Sequence, residues 1–370
     1  MSEYQYYEFQ AIDRSLTREE MAELRSYSSR ASISPSRFVN EYHWGDFKGN
    51  RSEWMKRYFD AHLYTSNFGS RVFCLRFPIS WIDPEMIALY QVEGAVKISK
   101  SQTHLIVSFF LNTEPDGYDE DEESDGVLAS LLPIRAALAA GNLRALYLGW
   151  LCGVENGLVE PDTAEPPVPA GLGAEDAALD SLIGFLNLRE DLVAAAAKSS
   201  AEPAADPTSE EISKWLGGIS DEEKDSWLAQ LLLGDDPGLR RKVFKRFNNS
   251  LGCVSSGSVT ARTVKELLSS ADVLEAERLE KERQEFAHAE RIRLLALVDQ
   301  EAGLWQSVIK LSESSSSRYQ ENAIRTLKDL RDLASMTGGT TEFCEKLDGL
   351  LELRRRKAAF IKQMQDAGFA

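Results

Sequence analysis

The sequence predicts an α+β fold: an N-terminal mixed or antiparallel sheet with packed helices, followed by an all-α C-terminal part with a long connector helix and helical hairpins. Three observations carry this expectation. Residues 4–12, 36–43, 61–66, 71–77, 95–100 and 104–112 alternate or run apolar at strand length, with turn residues between them. Beyond residue 112 apolar residues fall at helical spacing instead. Helix-start signatures, a Thr or Ser with Glu three residues later, stand at Thr17 with Glu20, Thr208 with Glu211 and Ser220 with Glu223.

The first strand is followed by a turn and a helix whose buried stripe is Met21 and Leu24. In 36–43, Phe38 and Tyr42 share one parity with Asn40, and Val39, Glu41 and His43 the other, a period near 2. A helix from about Ser52 places Trp54, Tyr58 and Phe59 on one face. Residues 61–66 and 71–77 form a hairpin in which Phe73, Leu75 and Phe77 make a wholly apolar face. Asp83 and Pro84 open a short helix. A second hairpin ends in 104–112, apolar almost throughout, as suits a strand covered on both faces. Residues 113–125 carry eight acidic and no basic side chains without the ligand order of an EF-hand, and read as a solvated loop. Two helices follow over 127–140, with Pro133 starting or kinking it, and 143–154, where Leu143, Leu146, Tyr147 and Trp150 face inward and Arg144 outward. Proline density makes 161–173 a stiff extended connector, after which Leu179, Leu182, Ile183 and Leu186 mark a helix docked back on the first domain.

Residues 1–198 are thus read as the α+β domain containing the acidic loop 113–125 and the connector 161–173. Residues 199–207, small, polar and proline-bearing, read as a linker, 208–261 as a short-helix segment, and 262–370 as the long helix and helical hairpins. The long helix, about 263–300, is apolar at both ends. Its charged middle offers only Leu279 and Phe286 a heptad apart, so it reads as an exposed connector, not a coiled coil. Trp305, Val308 and Ile309, then Tyr319, Ala323, Leu327 and Leu330, then Phe343, Leu347, Leu350 and Leu351 form three apolar stripes of a C-terminal bundle.

Chemistry concentrates in residues 36–78, where aromatics, glycines and paired charges are densest. Within it His43, Trp44, Asp46 and Lys48 put a base, an apolar wall and an anion contact in one loop, which suits a partner peptide or a small ligand. The competing reading is a turn whose aromatics Trp44 and Phe47 pack on the next helix. A second candidate surface is the basic helix 237–247, with Arg240, Arg241, Lys242, Lys245 and Arg246. It reads as a phosphate or acidic-partner contact, or as a solvated face balancing acidic neighbours.

The segments YYEFQAIDRSLTREEM, FVNEYHWGDFKG, GNLRALYLGW and EPPVPAGLG resemble signature segments of a family of uncharacterised bacterial proteins. The resemblance covers residues 4–200 most closely and implies no activity or catalytic residue, so no role is carried over to this chain.

With 370 residues, 43% of them hydrophobic, the chain can bury a sizeable core. A net charge of −17 disfavours nucleic acid and anionic membranes as partners. Cys74, Cys152, Cys253 and Cys344 make no CxxC pair, and His43, His62, His104 and His288 make no HExxH, so no metal, cofactor or catalytic residue is assigned. No glycine-rich nucleotide loop follows a strand. The start of the chain lacks the basic and apolar regions of a secretory signal, and the longest apolar run, 145–154, is too short to span a bilayer, so a cytoplasmic location is expected. The expectation that follows is a non-catalytic protein-interaction or adaptor protein whose partner is another protein. The alternatives are a nucleic-acid-associated protein using the 240–246 helix, with Arg354 to Lys357 as a second basic cluster, and an enzyme or small-ligand binder using the 43–48 loop.

Overall fold

The computed structural model describes the chain except for residues 1–3, 46, 114–124, 203–207, 234–238, 251–261, 315 and 370, and some side chains between 240 and 249. The α+β expectation holds, and the sheet is antiparallel throughout. Its strands are β1 (Gln5–Gln10), β2 (Ser32–Ile33), β3 (Arg37–Tyr42), β4 (Ala61–Ser66), β5 (Ser70–Pro78), β6 (Val96–Lys100) and β7 (His104–Asn112), in the spatial order β2-β3-β1-β4-β5-β7-β6. Both expected hairpins are present, β4 with β5 and β6 with β7.

Alternation along the strands sorts side chains onto two covered faces. One face carries Tyr6, Leu63, Phe73, Leu75, Phe77, Val107 and Phe109, all 0 or 1% exposed. The other carries Tyr7, Phe9, Phe38 and Tyr64, and is covered by α1 (Arg18–Tyr27) and α2 (Arg51–Arg57) through Leu24, Trp54 and Met55. Thr17 and Glu20 close the expected capping box on α1, and Asn50 caps α2. Between β5 and β6 lies the short α3 (Pro84–Ala88), with proline at its first turn.

The first face is roofed by α4 (Val127–Leu131), α5 (Pro133–Ala139), α6 (Arg144–Glu155), α7 (Ala177–Phe185) and α8 (Glu190–Ala197). Pro133 starts a new helix, as expected. The expectation of one inward face on α6 is corrected: every residue from Ala145 to Val154 is buried. Gly149 and Gly153 explain it, since a Cβ at Gly149 would lie 2.5 Å from Val96 Cγ2 and one at Gly153 2.7 Å from Val92 Cγ1, so the helix lies directly on the sheet. Arg144 is not free in solvent but pairs with Asp176 at 2.8 Å.

The proline-rich stretch is strapped down along part of its length. Ala164 bridges Thr263, Glu165 N–H donates to Arg262 O, and the buried Glu165 carboxylate accepts from Arg262 Nε and Nη2 (2.8 Å each) and from the Tyr147 hydroxyl. This places the start of α12 (Val264–Leu295) in the first core, where Val264, Leu267 and Ala271 are buried. The short helices α9 (Ser209–Gly217), α10 (Asp221–Leu233) and α11 (Leu239–Ser250) precede it, and Thr208 with Glu211 forms the expected capping box.

Two compact units result, Met1–Glu275 and Ala276–Ala370. Their division falls inside α12, and the expected linker 199–207 lies largely outside the described residues. The middle of α12 is exposed, with Leu279 at 46% and Phe286 at 74%. In the second unit α13 (Glu301–Leu311), α14 (Ser317–Thr337), α15 (Thr340–Arg354) and α16 (Ala358–Asp366) enclose Trp305, Val308, Leu327, Leu330, Phe343 and Phe360. Ile309 and Tyr319, expected in the stripes, are exposed instead, because each sits beside the inward arc of its helix.

The buried charge on the sheet generates an expectation for stability. Asp60, fully buried, is bound by Arg76 at 2.7 Å, and removing one member of a buried pair strands the other charge. Arg76→Met is expected to lower unfolding free energy by about 3 to 5 kcal/mol in urea denaturation. A loss below about 1 kcal/mol would show that water reaches the carboxylate.

Candidate functional site

The loop after β3 is built by a chain reversal. Tyr42 stands opposite Gln5 on β1, and Gln5 stands opposite Ser66 on β4, so loop 43–48 and the 67–69 turn leave the sheet at the same end. Gly45 adopts φ +85°, a conformation that other residues rarely take, and the chain turns back there. Phe47 therefore returns over the second sheet face, stacked on Tyr7 at 4.7 Å and edge-on to Trp54 at 4.9 Å. Gly49 leaves room for those rings, since a Cβ there would lie 2.6 Å from Trp54 and 2.7 Å from Phe47.

Trp44 lies before the reversal and departs from the packed reading: it is 81% exposed. It is the most exposed aromatic side chain among the described residues, and Phe68 on the neighbouring turn is 41% exposed. His43 is exposed and its ring lies 5.4 Å from that of Tyr4. Lys48 is exposed, and Asp46 lies outside the described residues. The loop thus presents an aromatic surface with a histidine and a lysine on it.

The basic helix is α11. The side chains of Arg240, Arg241 and Lys245 lie outside the described residues, Lys242 is exposed, and Arg246 is committed internally. Its guanidinium pairs with Glu223 and lies 5.7 Å from the Trp227 ring, which stacks on Trp215. In the second cluster Arg355 and Arg356 are exposed, and the two flanking residues are committed internally. Arg354 donates to Ile309 O and Ser312 Oγ, and Lys357 to Ser312 O, filling the carbonyls left open where α13 ends.

Sequence reasoning missed a pairing that strand register creates. His62 on β4 stands opposite Cys74 on β5, 12 residues on, and Ser108 on β7 faces Cys74. His62 Nδ1 lies 2.9 Å from Glu8 O, which fixes that nitrogen as the donor, while Nε2 has no partner among the described residues. The ring stacks on Phe9 at 3.9 Å. Burial, with Arg51 nearby, pushes its pKa down to about 3, so it is neutral. Burial pushes the Cys74 thiol up to about 11. A protonated thiol beside a buried neutral imidazole is poorly poised as a nucleophile at neutral pH.

No group of three or more His, Cys, Asp or Glu suited to a metal ion occurs among the described residues. Cys74 and Cys152 are buried free thiols and Cys344 is an exposed one. No described helix is long and apolar enough to cross a membrane. Compared with family models, curated proteins and solved structures, the chain matches none of them.

Two expectations follow. Phe47→Ala should cost about 2 to 3 kcal/mol, less than a fully buried Phe, while Trp44→Ala should stay within about 0.5 kcal/mol. Thermal denaturation of both variants checks this, and equal losses would show that Trp44 is packed. For His62 the folded pKa is depressed below the ordinary 6.5, so the stability it carries is complete above pH 6.5 and is lost as pH falls toward about 3. Between pH 7.5 and about pH 5 the wild-type protein should lose about 2 kcal/mol more than His62→Gln, the limiting slope being about 1.36 kcal/mol per pH unit. Parallel acid-dependence curves for the two proteins would refute the neutral, protected imidazole.

Proposed function

We propose that the protein is a non-catalytic interaction or adaptor protein that uses the loop bearing His43, Trp44 and Lys48 as its contact surface. The observation that supports this most is the 81% exposure of Trp44 at one end of a sheet whose other large side chains are mostly buried. Indole is a preferred anchor in protein contacts because it offers a large rigid apolar area and one donor. Phe47, packed on Tyr7, anchors the chain three residues on from Trp44, which limits the backbone freedom lost when Trp44 is covered.

The groups that could carry chemistry argue in the same direction. His62 and Cys74 are held neutral and buried. A nucleic-acid reading needs a positive surface, and the chain carries −17 while Arg246, Arg354 and Lys357 of the two basic clusters are occupied by intramolecular contacts. We place the protein in the cytoplasm, a reducing compartment that suits the buried free thiols Cys74 and Cys152.

A photo-crosslinking amino acid at position 44, irradiated in extract of the native host, tests the reading. The expected outcome is a discrete set of protein adducts that is missing when the same group replaces Glu285 on exposed α12. Adducts that are the same at both positions, or nucleic acid as the main adduct, would overturn it.

A further inference from the structure

We propose that the groove between the α3–β6 connection and the chain leaving α6 docks a short peptide of a partner protein, one bearing a bulky apolar side chain next to a lysine or arginine. The groove has a volume of about 500 Å³ and lies wholly in the first unit. Trp150 forms part of its lining with Val92, and Leu89 and Leu158 stand at its sides. These two leucines are 58% and 49% exposed, an apolar pair left facing water on either side of a concave surface.

The walls are held apart by contacts that do not depend on a ligand. Tyr90 donates its hydroxyl proton to Pro167 O at 2.7 Å, which ties the α3 side to the proline-rich side. Gly153 seats α6 against Val92 and Ala95, and the Leu158 methyl lies 3.1 Å from where a Cβ at Gly94 would stand. A groove preformed in this way needs little reorganisation on binding.

Charge selects the occupant. Glu93 and Glu160 are both exposed, both line the groove, and neither is ion-paired among the described residues. The whole chain carries −17, so the surrounding field is negative as well. Two unneutralised carboxylates beside an apolar surface attract a cation attached to an apolar group and repel an acidic one. The open side of the groove favours a chain over a compact small molecule: a crossing peptide covers both Leu89 and Leu158, whereas an enclosed ligand would cover neither fully.

The test uses the full chain and fluorescence anisotropy with a pool of labelled nine-residue peptides that fix Lys-Trp-Arg at the centre and vary the flanks. Control pools fix Lys-Gly-Arg or Glu-Trp-Glu. The expected result is saturable binding of the first pool only, weakened about tenfold or more by Leu158→Ser and by Glu160→Lys and unchanged by Trp44→Ala. Leu158 and Glu160 are exposed, so both variants should fold, and unchanged thermal midpoints would verify this. No binding of the first pool at millimolar concentration, equal binding of the acidic pool, or indifference to both groove variants would overturn the proposal. Because Trp44→Ala leaves this binding unchanged, failure here is separable from failure of the 43–48 loop as a contact surface.

Discussion

The carboxylate of Asp60 is completely buried, and the way its charge is met couples parts of the first unit that are far apart in sequence. It accepts from the amides of Ile12 and Asp13 at 2.6 and 2.9 Å and from Arg76 Nε and Nη2 at 3.1 and 2.7 Å. Burial alone would raise its pKa, but the Asp13 and Ile12 amides and Arg76 outweigh that, and it is lowered. Arg76 also donates to Lys56 O in the last turn of α2, and Arg135 on α5 donates to Arg76 O and clasps Asp13. The end of β1, the end of α2, the start of β4, the C-terminal part of β5 and α5 therefore meet at one charge. A one-residue slip of β5 would carry Arg76 to the opposite face and leave Asp60 unpaired, so the network protects the register that hydrophobic alternation sets.

Legibility in the sequence followed the range of the interaction. Strand alternation, hairpin turns and capping boxes depend on neighbours a few residues away, and β4, β5 and the α1 cap stand where residues 61–66, 71–77 and Thr17 with Glu20 placed them. The all-round burial of α6 was written in Gly149 and Gly153, four residues apart and on one side, a spacing that lets a helix touch a sheet, yet the large residues drew attention to one face. In the candidate loop the residue types were plain, but which aromatic turns inward was not. That depends on where the chain reverses, and Gly45 puts Phe47 on the Tyr7 face and leaves Trp44 outside. The apposition of His62 with Cys74, and the capture of Arg246 by Glu223, 23 residues upstream, needed the three-dimensional pairing itself.

The same distinction explains where the compact units divide. Composition marks 199–207 as a weak point in the chain, but composition does not register that Glu165, buried and bound by both Tyr147 and Arg262, fastens the start of α12 to the sheet domain. Thr263 and Glu266 cap that helix at the point of attachment, so its first turns are satisfied at their amides as well as buried along Val264 and Leu267. The first unit accordingly runs on into α12 as far as Glu275, whose carboxylate reaches Arg189 at 3.1 Å.

The more deeply placed cations of this fold are committed to internal contacts. Arginines 76, 135, 144 and 262 hold buried or half-buried carboxylates, and Arg354 and Lys357 close a helix end. Those internal pairs are neutral, so the net −17 is borne by the remaining groups, and long-range attraction favours cationic or neutral partners over nucleic acid and anionic lipid. Affinity for such partners must then come from apolar surface that folding left uncovered. On the first unit that surface includes Trp44 at the end of the sheet and Leu89 and Leu158 beside an acidic groove, all carried on connections between elements, not in the core. Variation in those connections can change a partner without disturbing the charge held at Asp60, which is the physical reason to look for recognition there.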